Sequence, residues 1–438
     1  MAEKWHLICN FRLDRIFMSR KRDMFDSPTS PTETQKADTS EFPMAHPNLS
    51  FDLVTDAEGL RALEPAWRTL ESNTPQSFTY FQTYDWCAGW YSVFGAADDD
   101  DTKPQARIFT ASERGEPVLI WPLMVEQGPM GLNTLTWMTW PHGQYGNVMA
   151  EPGDRADAAI AACWGHIKRL PRIDTIELPD IPASSALAGV LFADEESTSA
   201  DNLSSIMDLS RFETVQDYVD TWSKSARRSR GRRKRKLASH GELEFSVVEG
   251  GTPAFRSAVA DALKMKDVWL ANTGKVSRAL SMTGTKAFLS ALPVSPGKAG
   301  RALAGVLSLD GKAVSVEIGF ERGGDYVSYL GAFDWELRGY SPGKIEMDMM
   351  LRWAIENGMN SYDLLGNASS YKDDWSNIEV PLLSHVVAQS VLGIARTELW
   401  VKRLRPALKN TLDGLPEEKR RMLVSAIGAN SNASVASK

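Results

Sequence analysis

The chain has 438 residues, of which 43% are hydrophobic and 24% charged, with a formal net charge of −7. That length suits two domains of a soluble globular protein, and the acidic balance excludes a surface that coats nucleic acid all round, so no DNA partner is expected. No apolar run approaches the ~20 residues of a membrane span, and Lys4, His6, Asn10, Arg12, Asp14 and Arg15 break up any signal-peptide core, so the expected compartment is the cytoplasm or the inner face of the membrane.

Residues 1–50 read as a disordered extension, because Ser27 to Glu41 is rich in Ser, Thr, Pro and charge and has little to bury. Two halves follow, 51–205 and 206–390, and then a basic amphipathic helix and tail over 391–438. The first half opens with a helix from Ala57 to Leu70, whose Leu60, Leu63, Ala66, Trp67 and Leu70 lie on one stripe. The aromatic cluster Phe78, Tyr80, Phe81, Tyr84, Trp86, Trp90 and Tyr91 reads as a core helix against a sheet. Strands are expected over Ala106 to Ala111, Val118 to Val125 and Leu132 to Trp140. A Gly- and Pro-containing loop (Pro141 to Gly153), a helix (Asp157 to Leu170) and a short strand (Thr175 to Leu178) complete the half, and Asp180 to Asp201 reads as a connection.

The second half repeats that order. Val215 to Leu237 and Phe255 to Leu270 read as helices. Ala302 to Leu309 and Ala313 to Phe320 form a strand pair around Asp310-Gly311-Lys312, with a third strand from Tyr326 to Ala332. Trp335 to Gly343 is a loop, Ile345 to Asn357 a helix stopped by Gly358, and Ser361 to Leu365 a strand. The repetition is of architecture, not of sequence, and predicts a mixed α/β fold built from two similar units.

The loop Arg338-Gly339-Tyr340-Ser341-Pro342-Gly343-Lys344 leads from a strand into a helix. A helix start presents unpaired N–H groups and partial positive charge, which a diphosphate satisfies. Gly339 and Gly343 let backbone approach an anion closely, and Arg338 and Lys344 add charge-assisted contacts. An ordinary Gly/Pro turn starting a helix explains the loop equally well. The three cysteines, Cys9, Cys87 and Cys163, and the six histidines have no ligand or disulfide spacing, so no metal is expected.

The loop resembles the coenzyme A diphosphate loop of GNAT-fold acyltransferases, with Arg338, Ser341 and Gly343 at the matching positions and Ser in place of the first Gly. Together with Asp363, Gly366 and Tyr371-Lys372-Asp373-Asp374-Trp375, it is similar to the branch that holds the cellulose-biosynthesis protein CelD and the related FemAB aminoacyltransferases. Arg227 to Leu237 is similar to the Arg-rich helix opening that family's second half, and Phe81-Gln82, Trp86, Trp90 and Pro122-Leu123 look like its first half.

The resemblance implies tandem GNAT-like domains, the first degenerate and the second binding acetyl-CoA or another acyl-CoA. It implies transfer of an acyl group to an amine or hydroxyl of a small-molecule or glycan-precursor acceptor in polysaccharide or envelope synthesis. Backbone amides of Gly331, Ala332 and Phe333 would polarise the thioester carbonyl, while Tyr340 and Lys372 would add to the donor site. Tyr371 is the candidate acid for the leaving thiolate, and Asp334, Glu317 and Tyr329 are candidate bases. For Glu317 a solvated strand face is the simpler explanation, and for Asp334 a turn-initiating one is as good. The first half's counterpart loop, Pro141 to Asn147, has no basic residue; His142, Gln144, Tyr145 and Asn147 are candidates to line an acceptor cleft.

Arg227 to Lys236 concentrates positive charge; a solvated helix face explains most such runs, and an anionic partner (cofactor phosphate, acidic polysaccharide, lipid headgroup or RNA) would relieve the repulsion within this one. RNA would suit the alternative, a FemAB-like enzyme that takes an aminoacyl group from transfer RNA. A second alternative is a non-catalytic scaffold of an exopolysaccharide system.

Overall fold

The computed structural model describes residues 49–74, 77–95, 103–128, 131–193, 200, 202–293, 300–366 and 372–398. The expected N-terminal extension and most of the C-terminal basic segment lie outside these residues, as does Tyr371. In the first half the order is β1 (Leu49–Val54), α1 (Ala57–Ala62), α2 (Glu64–Asn73), α3 (Tyr84–Phe94), β2 (Gln105–Glu113), β3 (Glu116–Gln127), β4 (Asn133–Trp137), β5 (Met149–Ala150), α4 (Asp154–Ile167), β6 (Thr175–Pro182) and α5 (Ala186–Leu191). The second half runs β7 (Asn202–Asp208), α6 (Val215–Asp220), α7 (Lys224–Ala238), β8 (Leu243–Glu249), α8 (Pro253–Thr273), α9 (Arg278–Ser281), α10 (Thr285–Ser290), β9 (Arg301–Leu309), β10 (Lys312–Arg322), β11 (Asp325–Phe333), α11 (Pro342–Glu356), β12 (Ser361–Asp363), β13 (Ile378–Ala388) and α12 (Val391–Ala395).

The duplication is visible in the strand pairing. In each half an antiparallel run ends in a strand that pairs in parallel with the strand after the next long helix: β4 with β6, and β11 with β12. A crossover through a helix makes that pairing possible. The two units do not stand apart. One thirteen-stranded sheet runs through both, in the order β1-β2-β3-β4-β6-β13-β7-β12-β11-β10-β9-β8, with β5 off the path beside β3. Strand β13 is the seam, antiparallel to β6 on one side and to β7 on the other.

A shared core reinforces the seam. Trp67, Trp86 and Trp90 of the first half and Phe255, Phe288 and Phe320 of the second belong to one buried cluster. The expected aromatic core helix is α3, preceded by a 3₁₀ turn over Ser77–Gln82. Arg322 at the end of β10 is fully buried, and its guanidinium donates to Thr79 Oγ1 at 2.9 Å and to the carbonyls of Glu71 at 3.1 Å and Thr74 at 2.6 Å. Burial pulls this guanidinium down to about 10, against the attraction of Glu71.

Several expected boundaries shift for identifiable reasons. The helix expected over 215–237 is two, because Ser223 caps a fresh start by accepting from Ala226 N. The stretch expected as a connection from Asp180 carries the end of β6 and α5, the latter capped by Ser185. Strands β1, β7, β8 and β13 were not expected from the pattern. Helix α8 begins with Pro253 behind the cap residue Thr252 and ends at Gly274, whose φ of 62° is left-handed. Among the described residues no helix is long and apolar enough to cross a membrane.

Candidate donor and acyl-transfer site

Strands β11 and β12 pair over only three positions, ending at Val327 and Asp363. Beyond that vertex β11 continues to Phe333 with this edge free of sheet partners. On its other edge β11 pairs with β10 and carries a bulge: Ile318 faces Leu330 and Gly319 faces Ser328, leaving Tyr329 without an opposite number. A bulge kinks a strand and re-aims its backbone. This one lies two residues past Val327, the last position paired with β12, so the bulge falls where β12 stops.

The chain leaves β11 through Asp334, whose Oδ1 accepts from Glu336 N at 3.1 Å and starts a 3₁₀ turn over Trp335–Tyr340. Ser341 then adopts φ 58° and ψ 52°, a left-handed conformation costing a non-glycine residue about 1 kcal/mol. That reversal aims the chain into α11, with Pro342 at its first position. Lys344 N and Ile345 N both donate to Ser341 O, at 3.1 and 3.3 Å. Ser341 offers no side-chain cap, so among the described residues nothing meets the Gly343 N–H. A Cβ on Gly343 would lie 3.4 Å from Phe333 Cδ1 and 3.9 Å from Ser315 Oγ, and one on Gly339 would meet nothing within 4 Å. The loop is open rather than plugged.

Among the described residues its cations have no acidic partner. Arg338 is exposed, lies over the Trp335 ring at 5.1 Å and donates to Trp335 O at 3.0 Å. Tyr340 packs against His240, with ring centroids 4.6 Å apart, and beneath Lys236 Nζ at 4.8 Å, which ties the end of α7 to the loop.

At the free edge of β11, Lys266 of α8 donates from Nζ to Gly331 O at 3.0 Å. Burial, with Lys275 nearby, lowers this ammonium to about 8. Sequence reading missed Lys266. Its signal was a lysine amid the apolar residues of Ala262-Leu263-Lys264-Met265-Lys266, which the pattern treats as a solvated helix face.

Of the residues expected at the donor site, Gly331, Ala332 and Phe333 end β11, Arg338, Gly339, Tyr340 and Ser341 follow in the turn, and Gly343 and Lys344 open α11, with Gly343 against Phe333. Four other candidates sit differently. Glu317 is not on a solvated face: it is 1% exposed, and its Oε1 accepts from Tyr326 Oη at 3.0 Å and from Tyr362 Oη at 2.5 Å. Beside it Glu346 of α11 is equally buried, and its Oε1 has no partner. Burial raises both carboxyls, Glu346 further because Glu317 adds repulsion. This pair lies under the sheet, on the α11 side. Asp334 is engaged as the turn cap and by Lys312 at 3.3 Å. Tyr329 is half-buried among Phe320, Trp86 and Phe81, and burial raises its phenol. Lys372 is 5% exposed, and its ammonium is spent on Leu365 O at 2.9 Å and Gly366 O at 2.7 Å, so it holds the chain after β12 instead of reaching for phosphate.

The vertex itself is braced from the first half. Asp363 Oδ2 accepts from Tyr145 Oη at 2.6 Å, and Oδ1 accepts from Ser204 Oγ and Leu365 N, both at 2.7 Å. Burial raises the carboxyl and these donors oppose the rise. Tyr145 belongs to the loop expected to line an acceptor cleft, and that loop is instead mostly interior: His142, Tyr145 and Asn147 are at most 4% exposed. Among the described residues no three His, Cys, Asp or Glu side chains cluster as a metal centre requires.

Comparison with known proteins agrees with this geometry. Residues 224–373 match the family described as Acetyltransferase (GNAT) domain. The crystal structure of FemX aligns over 79% of this chain and 99% of its own, with a TM-score of 0.51 at 10% identity. A tandem GNAT protein from the clavulanic acid biosynthesis pathway aligns over 78% and 99%, at 0.45 and 12%. The C-terminal domain of a putative lysylphosphatidylglycerol synthetase from Agrobacterium fabrum aligns over 79% and 97%, at 0.46 and 13%. No curated protein sequence matches the chain. The parting parallel strands, the loop before α11 and the family match together make this a doubled α/β protein of the GNAT fold, with a GNAT domain over residues 224–373 and the fold of FemX.

Proposed function

We propose that the chain is an acyltransferase that draws its acyl group from acyl-coenzyme A and delivers it to an amine or hydroxyl acceptor. The observation that carries this reading is the parting of β11 from β12 at Val327 and Asp363, directly before a left-handed Ser341 that leaves the Gly343 N–H open at the start of α11. The donor set fits a diphosphate: an unpaired amide at a helix start, and Arg338 and Lys344 with no acidic partner. The free edge of β11 offers backbone groups to the extended arm of the donor, as an added strand would use them. Amides of Gly331 to Phe333 then lie where a thioester carbonyl needs polarising.

Lys266 supplies the base that the sequence left unassigned. It touches the same strand edge, and a lysine near 8 is partly neutral at physiological pH. Neutral Nζ takes the proton from the attacking amine as the new acyl bond forms, while the thiolate leaves and is protonated from solvent. From the resemblance, the acceptor class we expect is an amino sugar or similar group of a glycan precursor.

The test is a screen of acyl-coenzyme A donors by thiol release with mixed amine acceptors, paired with calorimetry against coenzyme A. Binding in the micromolar range with acceptor-dependent thiol release supports the reading. Absence of binding to any coenzyme A species defeats it. The second reading, an aminoacyl-transfer-RNA donor, draws on the exposed residues Arg227, Arg228, Arg232 and Arg235 of α7. It predicts RNA binding that falls steeply with salt.

A further inference from the structure

Helix α7 has a second face, turned toward the protein, that the reaction above does not use. Between this face, α6, the first turns of α11 and the 3₁₀ turn Lys372–Asp374 lies a pocket of about 540 Å³. Its walls are polar. Ser223, Ser225 and Ser229 line it from α7 together with Arg233, and Lys344 enters from α11. Among the described residues Arg233 has one partner, Ser229 Oγ at 3.0 Å, and no carboxylate, and Lys344 has none either. Asp374, exposed, is the carboxylate on the rim.

Arg230 is different and forms the rigid back wall. Its guanidinium is stacked 4.1 Å from the Trp222 ring and 3.7 Å from the Trp375 ring, and it donates to Asp348 Oδ1 at 3.0 Å. Trp222 Nε1 is buried without a hydrogen-bond partner. A pocket with three hydroxyls and two cations that have no carboxylate partner among the described residues suits a small, multiply charged oxyanion. An apolar ligand would leave those groups unpaired.

Lys344 is the residue after Gly343, so the pocket and the open amide of the loop share the first turn of α11. We propose that this pocket takes the phosphomonoester on the nucleoside end of the donor, the 3′-phosphate of coenzyme A. The inference rests on the donor reading given above and narrows it: the basic helix recognises a second phosphate of one small molecule. Its volume falls in the range of small-molecule sites and suits a nucleotide.

Calorimetry on the full chain with coenzyme A and with 3′-dephospho-coenzyme A tests it. The wild type binds coenzyme A about tenfold more tightly, the worth of one charge-assisted contact set. Arg233→Ala removes that preference and leaves dephospho-coenzyme A binding within about twofold. Ser225→Glu, which places an acid near the start of α7 and favours the helix, removes it too. Equal wild-type affinity for the two ligands overturns the assignment while leaving the donor reading standing. Loss of both affinities together in Arg233→Ala also overturns it. Failure of the wild type to bind either ligand ends the donor reading and this one with it. Bulk transfer RNA is the third probe: RNA binding abolished by Arg233→Ala, with no 3′-phosphate preference, reassigns the pocket to an RNA backbone.

Discussion

Replacing Gly343 by Asp separates donor binding from folding, because the two respond with opposite sign. Gly343 is the second residue of α11, where a carboxylate meets the positive end of the helix dipole and stabilises it by about 0.3–1 kcal/mol. Leaving glycine in a helix adds about 1 kcal/mol more. The new Cβ makes only ordinary contact with Phe333 Cδ1, at 3.4 Å. Thermal unfolding therefore moves up or stays put. A diphosphate at the same helix start carries two charges, and a carboxylate ~5 Å away, at an effective dielectric between surface and bulk values, repels it by about 2–3 kcal/mol. Calorimetry with coenzyme A should then show affinity lower by roughly 30- to 150-fold. Gly343→Ala, with the same Cβ and no charge, should bind within about threefold of wild type. If Asp and Ala bind alike, or if neither differs from the parent, no anion sits at this turn and the reasoning is wrong.

His142 makes a stability prediction. Trp90 Nε1 donates to its Nδ1 at 3.0 Å, so the ring proton is on Nε2, which donates to Thr285 Oγ1 at 3.0 Å; the Thr285 hydroxyl in turn donates to Ala279 O at 2.7 Å. Burial lowers this imidazole to about 4 from 6.5. A depressed folded value means that the unfolded chain binds the extra proton between those two pH values, so stability present above 6.5 is lost as pH falls toward 4, by about 3 kcal/mol. Urea unfolding of wild type and His142→Gln at pH 7 and pH 4 should show their difference shrink by that amount; parallel pH slopes would falsify the assignment. For Lys266, whose ammonium titrates near 8, the active form is the deprotonated one, so acyl transfer should rise as pH passes through about 8 and level off above it. Lys266→Met should lower kcat about 100-fold and flatten that rise, with coenzyme A affinity unchanged. A profile unchanged in the variant rules this lysine out as the base.

Local chemistry made the repeated unit legible from sequence. Alternation marked β9, β10 and β11, Gly358 marked the end of α11, whose start the pattern put three residues late at Ile345, and the apolar stripe from Leu60 to Leu70 marked as one helix what the structure divides into α1 and α2. The turn before α11 was legible for the same reason: a Gly/Pro turn between a strand and a helix is set by adjacent residues. What remained hidden depends on partners far apart in the chain. Strand β13 could not be read because its mates, β6 and β7, lie some two hundred residues upstream, and only their meeting makes it the seam of a single sheet.

The same distance explains the site. Glu317 looked solvent-facing because alternation gives the face of a strand, not what covers it; α11, with Glu346, covers it. Lys372 looked free until the carbonyls of Leu365 and Gly366 claimed its protons. Lys266 looked like surface until α8 was laid beside the open edge of β11. By itself, then, the sequence determined the central elements of each half, their repetition and the Gly/Pro turn before α11, all set by neighbours along the chain. The tertiary structure alone decided which charged groups are spent and which are left to act, because that depends on burial and on hydrogen bonds between segments that meet only in the folded protein.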